Sequence, residues 1–227
     1  MKLQSRDLEL FYWINGFGFM TIPQIAHWMG RGYETARRRV QKLSDHNFLI
    51  PNRILHHGPT IYRVSNKGCA IIEDPVKPLA GVRLSTFRHD AALVDLALYL
   101  YKLHPKCQFV PERRLRAQES HKYQKVRSHN PDGHLILYNS PKPIAIELEL
   151  TQKSRRRLHK IIRGYQRSFT YERIWYFVPP GPVEGVLRNV ITTSSPPSLF
   201  DKMERPTQDP LFRIWQWEDT PDEKNLL

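Results

Sequence analysis

Cysteine is nearly absent from this chain: Cys69 and Cys107 are the two among 227 residues. Two thiols are too few for a disulfide framework or a thiolate metal site, and their scarcity points to a reducing compartment, expected to be the bacterial cytoplasm. No apolar run approaches the roughly 20 residues that span a bilayer, so no membrane span is expected. The N-terminal stretch carries Asp7 and Glu9 where a secretory signal would be apolar. Acidic side chains are also few, with 22 Asp and Glu against 35 Lys and Arg, a net charge of +13. Such an excess attracts polyanions, of which nucleic acid is the commonest. A glycine-rich phosphate loop, zinc-ligand spacing and a Gly-x-Ser-x-Gly elbow are all missing.

What is present is enough for two small domains. Hydrophobic residues make up 40% and aromatic residues 11% of the chain, so real cores can be buried. Residues 1–72 read as three helices and a hairpin. The first helix spans about Ser5 to Asn15 and stops at the Gly16–Gly18 break; its aromatic run Phe11, Tyr12, Trp13 could bury a dimer contact. Thr21 and Gln24 have the spacing of a capping box, with Pro23 in the first turn of the second helix. The third runs from Tyr33 to about His46, with Ala36, Val40 and Leu43 on one face and Glu34, Arg38, Gln41 and Lys42 on the other. Strands at Phe48–Leu55 and Thr60–Val64 follow, joined through His56 and His57. This is the plan of a winged helix. The segment holds ten basic and four acidic residues, a net +6. Arg37, Arg38, Gln41 and Lys42 then suit the major groove of double-stranded DNA. The plainer alternative is a three-helix bundle whose arginines form a solvated face.

Residues 73–86 contain two prolines and a glycine and read as a linker. From Phe87 to Leu103 a helix apolar on two sides should be the core helix of a second domain, spanning 87–181, with 182–227 as a C-terminal extension. Cys107–Pro111 reads as a strand, residues 113–130 as a polar, basic loop, and Asp132–Tyr138 and Ile144–Thr151 as strands. A helix from Gln152 to Phe169 and a strand at Ile174–Val178 complete one crossover unit, which should be parallel and right-handed. A short helix at Val183–Ile191 and a strand at Leu211–Trp217 are expected beyond it. The stretch from Asp201 to Leu227 has seven acidic and four basic residues, a net −3, suited to capping the sheet or meeting a partner.

The segment Ile144 to Thr151 is the most informative. In a strand, Ile144, Ile146, Leu148 and Leu150 point one way, and Ala145, Glu147, Glu149 and Thr151 the other. A strand feeding a crossover helix should be covered on both faces, where two carboxylates would repel each other and lose hydration. A divalent cation removes that conflict, and oxygen ligands select Mg²⁺, Mn²⁺ or a similar hard ion. Asp132, on the neighbouring hairpin strand, could supply the third carboxylate. The alternative is that Glu147 and Glu149 face solvent on a half-open sheet. The next helix carries Leu158, Ile161, Ile162, Tyr165 and Phe169 on one stripe and Lys153, Arg156, Arg157, Lys160, Arg163 and Arg167 on the other. Residues 152–168 hold seven Lys and Arg and no acid, a surface that can hold a phosphodiester backbone. Lys153 or Lys160 could steady developing charge or polarise the attacking water; the plain reading of each is solvation.

Pro131-Asp132 followed by Glu147-x-Glu149 resembles the PD-(D/E)xK restriction-endonuclease-like superfamily. A fuller set is Arg88-His89, Pro111-Glu112-Arg113, Pro131-Asp132, Glu147-x-Glu149-x-Thr151, Lys160 and Tyr165 behind a winged helix. It is similar to the replication-relaxation family, and most of all to the MobC-type relaxases of mobilizable plasmids. The resemblance covers roughly residues 5–180. It implies an α/β fold, α+β overall: an N-terminal winged helix, then a restriction-endonuclease-like mixed sheet with flanking helices. It implies a metal-dependent DNA endonuclease that nicks a plasmid's origin of transfer, working with an accessory mobilization protein and a coupling protein. Asp132 and Glu147 would bind the metal, with Glu149 joining them or orienting water. The superfamily's lysine, two residues after the first Glu, is here Glu149, so its role would fall to Lys153 or Lys160. Glu112 could enter the same site or pair with Arg113 or Arg114. His89 could contact the site or a phosphate, or be satisfied by a backbone carbonyl; Thr151 and Tyr165 are accessory candidates. The commoner relaxase scheme of a His-apolar-His cluster with a tyrosine nucleophile has no counterpart here. A non-catalytic plasmid replication or transcription regulator on a degenerate nuclease fold is the alternative.

Overall fold

The computed structural model describes residues 1–54, 56–120, 129–194 and 211–217. It is a mixed α/β structure with two sheets. The described residues divide into two compact units, one of 1–105 and 111–120, the other of 106–110, 129–194 and 211–217. Among these residues no helix is long and apolar enough to cross a membrane.

The first unit begins α1 (Ser5–Phe17), β1 (Met20–Thr21), α2 (Ile22–Met29), α3 (Tyr33–Asp45), β2 (Leu49–Arg53) and β3 (Thr60–Val64). Helix α1 runs two residues past Asn15 and ends within the expected Gly16–Gly18 break, where Gly18, at φ 98°, donates its N–H to the Ile14 carbonyl. Thr21 and Gln24 bond reciprocally as a capping box, each side chain meeting the other's backbone N–H, and Gly30 closes α2 in the left-handed region. Ala36, Val40 and Leu43 of α3 are fully buried, as their spacing requires. The strands form an antiparallel sheet in the order β1-β3-β2, with Leu49 opposite Val64 and Arg53 opposite Thr60. The short β1, pairing Met20 with Tyr62, carries too few residues to show a strand period. Leu55, placed in the first hairpin strand by pattern, lies outside the described residues.

Three features of this unit differ from expectation. First, β3 leads into α4 (Asn66–Ile71), capped by the Ser65 hydroxyl accepting from the Gly68 N–H at 3.0 Å. Second, the supposed linker is packed. Asn15 donates to the Asp74 carboxylate at 3.0 Å and to the Val76 carbonyl at 2.7 Å, and Val76 is buried. Third, α5 (Leu84–Leu103) packs with this unit. Val94 and Leu98 share a core cluster with Leu10, Phe11 and Ile14, and the Gln24 amide donates to the Ala91 carbonyl and Asp95 carboxylate, both at 3.0 Å. The two apolar stripes required burial, but the helix falls in the first unit and not in the second domain to which its pattern assigned it, because Val94 and Leu98 find their apolar partners on α1.

The polar stretch read as a loop from 113 begins as a helix, α6 (Glu112–Ser120); residues 121–128 lie outside the described residues. Distant partners lock it. Arg114 donates to the Asp74 carboxylate and to the Tyr12 carbonyl at 2.6 Å, and lies 3.4 Å above the Tyr12 ring. Arg113 donates to the carbonyls of Asn15 and Lys77.

The second unit is a five-stranded sheet in the order β4-β5-β6-β7-β8, built from β4 (Gln108–Pro111), β5 (Gly133–Ile136), β6 (Ile144–Leu148), β7 (Arg173–Val178) and β8 (Phe212–Gln216). Strands β5 and β6 form the expected antiparallel hairpin, and β6 pairs parallel with β7 across helix α7 (Arg155–Gln166). Strand β8 extends the parallel set beyond β7, after helix α8 (Pro182–Ser194). A Cβ at Gly133 would lie 2.5 Å from the Phe109 ring, so only glycine lets β5 sit this close. Helices α7 and α8 pack on one sheet face, burying Leu158, Ile162, Leu187 and Val190 against Ala145, Ile174 and Val178. Helix α7 stops at Gln166, and Phe169, assigned to its apolar stripe, is 88% exposed. Most of the acidic C-terminal stretch, 201–210 and 218–227, lies outside the described residues.

Candidate functional site

Strand β6 is central, and all five of its residues are buried. Glu147 lies on the face of Ala145, the side that α7 covers. It is 2% exposed and Glu149 4%, so the solvent-facing reading of this pair does not hold. The strand pairing runs one residue past β6, the Glu149 N–H donating to the Phe177 carbonyl at 2.9 Å.

Each acid has a protein partner. The Tyr165 hydroxyl, reaching from α7, donates to Glu147 Oε1, and His129 Nε2 lies 2.6 Å from the same oxygen. The Lys153 ammonium donates to Glu149 Oε2. Asp132, just before β5, accepts from the Leu148 N–H at 2.7 Å, which fixes its carboxylate across the hairpin from the end of β6. Lys153 reaches Glu149 because the chain leaves the strand at Leu148 and becomes helical only after Ser154.

The electrostatics follow burial. Burial raises the Glu149 pKa, Lys153 opposes the rise, and the nearby Glu147 and Asp132 charges add to it, for a net rise. For His129 burial favours the neutral ring, but the hydrogen bond and charge of Glu147 outweigh it and raise the pKa. Burial foremost, then the Glu147 charge, pushes the Tyr165 hydroxyl far above its ordinary value. Tyr176 on β7, opposite Glu147 in the parallel register, is raised in the same way by burial and by Glu147, Glu149 and Asp132.

The structure thus gathers Asp132, Glu147, Glu149, Lys153 and Tyr165 in the second unit. Lys160, Arg156, Arg157 and Arg163 lie exposed on α7, and Thr151 is exposed just beyond the strand. Glu112 opens α6 in the first unit and pairs at 2.5 Å with Arg116. His89 also belongs to the first unit, 3.5 Å from the Asp90 carboxylate. His129 and Tyr176 escaped the pattern reading. One sits in a polar stretch taken for a loop and the other in an apolar strand; only the position of His129, three residues before Asp132, hinted at a role.

On the first unit, Arg37, Arg38, Gln41 and Lys42 are all exposed on α3. Arg37 pairs with Glu34 at 3.0 Å, and Gln41 donates to Asp45 at 2.7 Å. Arg39, unassigned by pattern, turns inward to Asp7.

No family model, no curated protein and no solved structure matches the chain. The reading of the site therefore rests on its own chemistry. Cys69 and Cys107 are buried free thiols, and burial foremost, then the Asp74 charge, pushes the Cys69 pKa up to about 11, so neither offers a ready thiolate.

As the side chains stand, no three His, Cys, Asp or Glu among the described residues are gathered as a ready ligand set for a metal ion. Their oxygens are engaged by Tyr165, His129, Lys153 and the Leu148 N–H instead. The donor chemistry nonetheless fits a hard divalent cation, with three carboxylates whose mutual charge burial penalises. A buried phenol beside them, Tyr176, has no hydrogen-bond partner among the described residues.

Proposed function

We propose that this chain is a DNA-binding, metal-dependent endonuclease. The first unit would act as a winged helix, laying the exposed side chains of α3 in the major groove of double-stranded DNA. The second would act as a PD-(D/E)xK-like cleavage core. The observation that carries this reading is the burial of Glu147 and Glu149 at the end of a central strand, with Asp132 held across the hairpin from them.

In that reading Asp132, Glu147 and Glu149 hold Mg²⁺ or Mn²⁺, which supplies Lewis-acid stabilisation of the phosphoryl oxygens. Lys153, rather than the exposed Lys160, takes the part of the motif lysine, placing its ammonium next to Glu149 where negative charge develops on phosphate. Arg156, Arg157 and Arg163 present a cationic rail along α7 for the phosphodiester backbone. Tyr165 and His129 orient the Glu147 carboxylate. The biological setting we propose is nicking at a plasmid's origin of transfer in the bacterial cytoplasm, beside an accessory mobilization protein and a coupling protein. That narrower step rests on the order of Pro131-Asp132 and Glu147-x-Glu149-x-Thr151 behind a winged helix.

One observation favours a second reading. Every carboxylate in the cluster already meets a protein donor, as in a purely structural polar core, and a non-catalytic DNA-binding regulator would look like this. Supercoiled plasmid carrying its own transfer origin, incubated with Mg²⁺ or Mn²⁺, separates the two. The endonuclease gives open-circular product that is lost in Asp132→Ala and Glu147→Ala. The regulator gives specific binding and no cleavage with any metal.

A further inference from the structure

The cluster contains one group that its internal bonding leaves unexplained. Tyr176 lies in the middle of β7, 1% exposed, and its hydroxyl has no hydrogen-bond partner among the described residues. A buried unsatisfied hydroxyl costs stability, so a phenylalanine there would give a more stable strand if packing were the only demand. In the parallel register Tyr176 is opposite Glu147, and paired residues of neighbouring strands project to the same face. Tyr165 approaches that face from α7 and spends its hydroxyl on Glu147. The two phenols are therefore not equivalent: one completes a carboxylate in the protein alone, and the other awaits a partner.

We infer that the Tyr176 hydroxyl is an outer-sphere anchor for a hydrated divalent cation, bonded to a water in the ion's shell while Asp132, Glu147 and Glu149 provide the carboxylates. This rests on the proposed cation site and adds to it a residue that sets affinity and preference. Mg²⁺ releases its waters reluctantly and is held largely through them, so an anchor for water matters more to Mg²⁺ than to an ion that sheds water readily. Outer-shell partners of this kind commonly carry tenfold or more of the affinity. The same geometry makes an unusual prediction about stability. Because the hydroxyl has no partner among the described residues, removing it leaves the metal-free fold as stable as before or slightly more so.

The test uses the full-length protein, with Mg²⁺ or Mn²⁺ alone as titrant in calorimetry and in thermal denaturation. Wild type binds both ions and is stabilised by them. Tyr176→Phe keeps or gains metal-free stability, binds Mg²⁺ about tenfold more weakly, and loses less affinity for Mn²⁺. Tyr165→Phe differs, losing metal-free stability because Glu147 gives up a donor. If wild type binds the ions and Tyr176→Phe binds Mg²⁺ equally well, the anchor is overturned and the cation site stands. If wild type binds neither ion at millimolar concentration, the cation site itself falls, and the anchor with it. A loss of metal-free stability in Tyr176→Phe also overturns the inference, because the hydroxyl would then have a partner within the protein.

Discussion

Lys153→Met removes the ammonium that meets Glu149 and leaves that carboxylate in a covered site beside Glu147 and Asp132. The side chain of Glu149 is 5% exposed and that of Lys153 21%. Removing one partner of a buried pair costs about 3–5 kcal/mol. Water reaches Lys153, which brings the expected loss below that range, to about 2–3 kcal/mol at neutral pH. Proton uptake limits the damage, because burial already raises the Glu149 pKa and the variant raises it further. A carboxyl that binds its proton more tightly when folded contributes stability below its unfolded pKa, and loses that contribution as pH rises through the folded value. The variant's deficit should therefore be larger at pH 8 than at pH 5. Urea denaturation at both values, on wild type, Lys153→Met and Lys153→Met/Glu149→Gln, reads this directly. The double variant should recover most of the loss at pH 8. Equal deficits at the two pH values, or a deficit under about 0.5 kcal/mol, would refute the claim that Lys153 neutralises a buried acid.

Arg114→Met leaves Asp74, whose side chain is fully buried, without its guanidinium and should cost about 3–5 kcal/mol in thermal or chemical denaturation. Burial raises the Asp74 and Asp7 pKa values, but Arg114 with Asn15, and Arg39 with the Gln4 N–H, outweigh it and hold both below the usual carboxylate range. The stability these pairs give is full above the ordinary Asp pKa and is lost as pH falls through the lowered values, so Asp74→Asn should flatten the acid limb of a stability profile. Arg38→Ala should weaken binding to double-stranded DNA and lower the salt slope by about 0.9 if the side chain meets a phosphate. Unchanged affinity in a filter or fluorescence assay would remove α3 from the groove.

Local chemistry made much of the fold readable. The capping box at Thr21 and Gln24, the glycine at position 30 and the 3.6-residue spacing of Ala36, Val40 and Leu43 all act within a few residues. The alternation in β6 was likewise sufficient to single out Glu147 and Glu149. What stayed hidden depends on distant partners. Residues 113–120 look like part of a solvated loop until Arg114 finds Asp74 and the Tyr12 carbonyl, 40 and 102 residues away. The burial of α5 was plain from its two stripes, but they assigned it to the second domain, and the apolar partners that draw Val94 and Leu98 into the first unit lie some eighty residues earlier in the chain. Lys153 could be set above Lys160 only once the strand was seen to end at Leu148 and the helix to begin after Ser154. Tyr176 reads as one more aromatic residue in an apolar strand, and His129 as one more polar residue in a basic stretch. Each gains meaning from Glu147, which chain folding alone brings beside it.

The proposed endonuclease requires that the buried acids at the end of β6 form a cation site. Crystals soaked in Mn²⁺ and measured at the manganese absorption edge address it most directly. An anomalous peak is expected at about 2.2 Å from carboxylate oxygens of Asp132 and Glu147, with Lys153 moved off Glu149 where that acid joins the ion. A fully occupied Tyr165–Glu147 and Lys153–Glu149 arrangement with no anomalous density between the carboxylates, at Mn²⁺ concentrations that fill other sites in the same crystal, would contradict it.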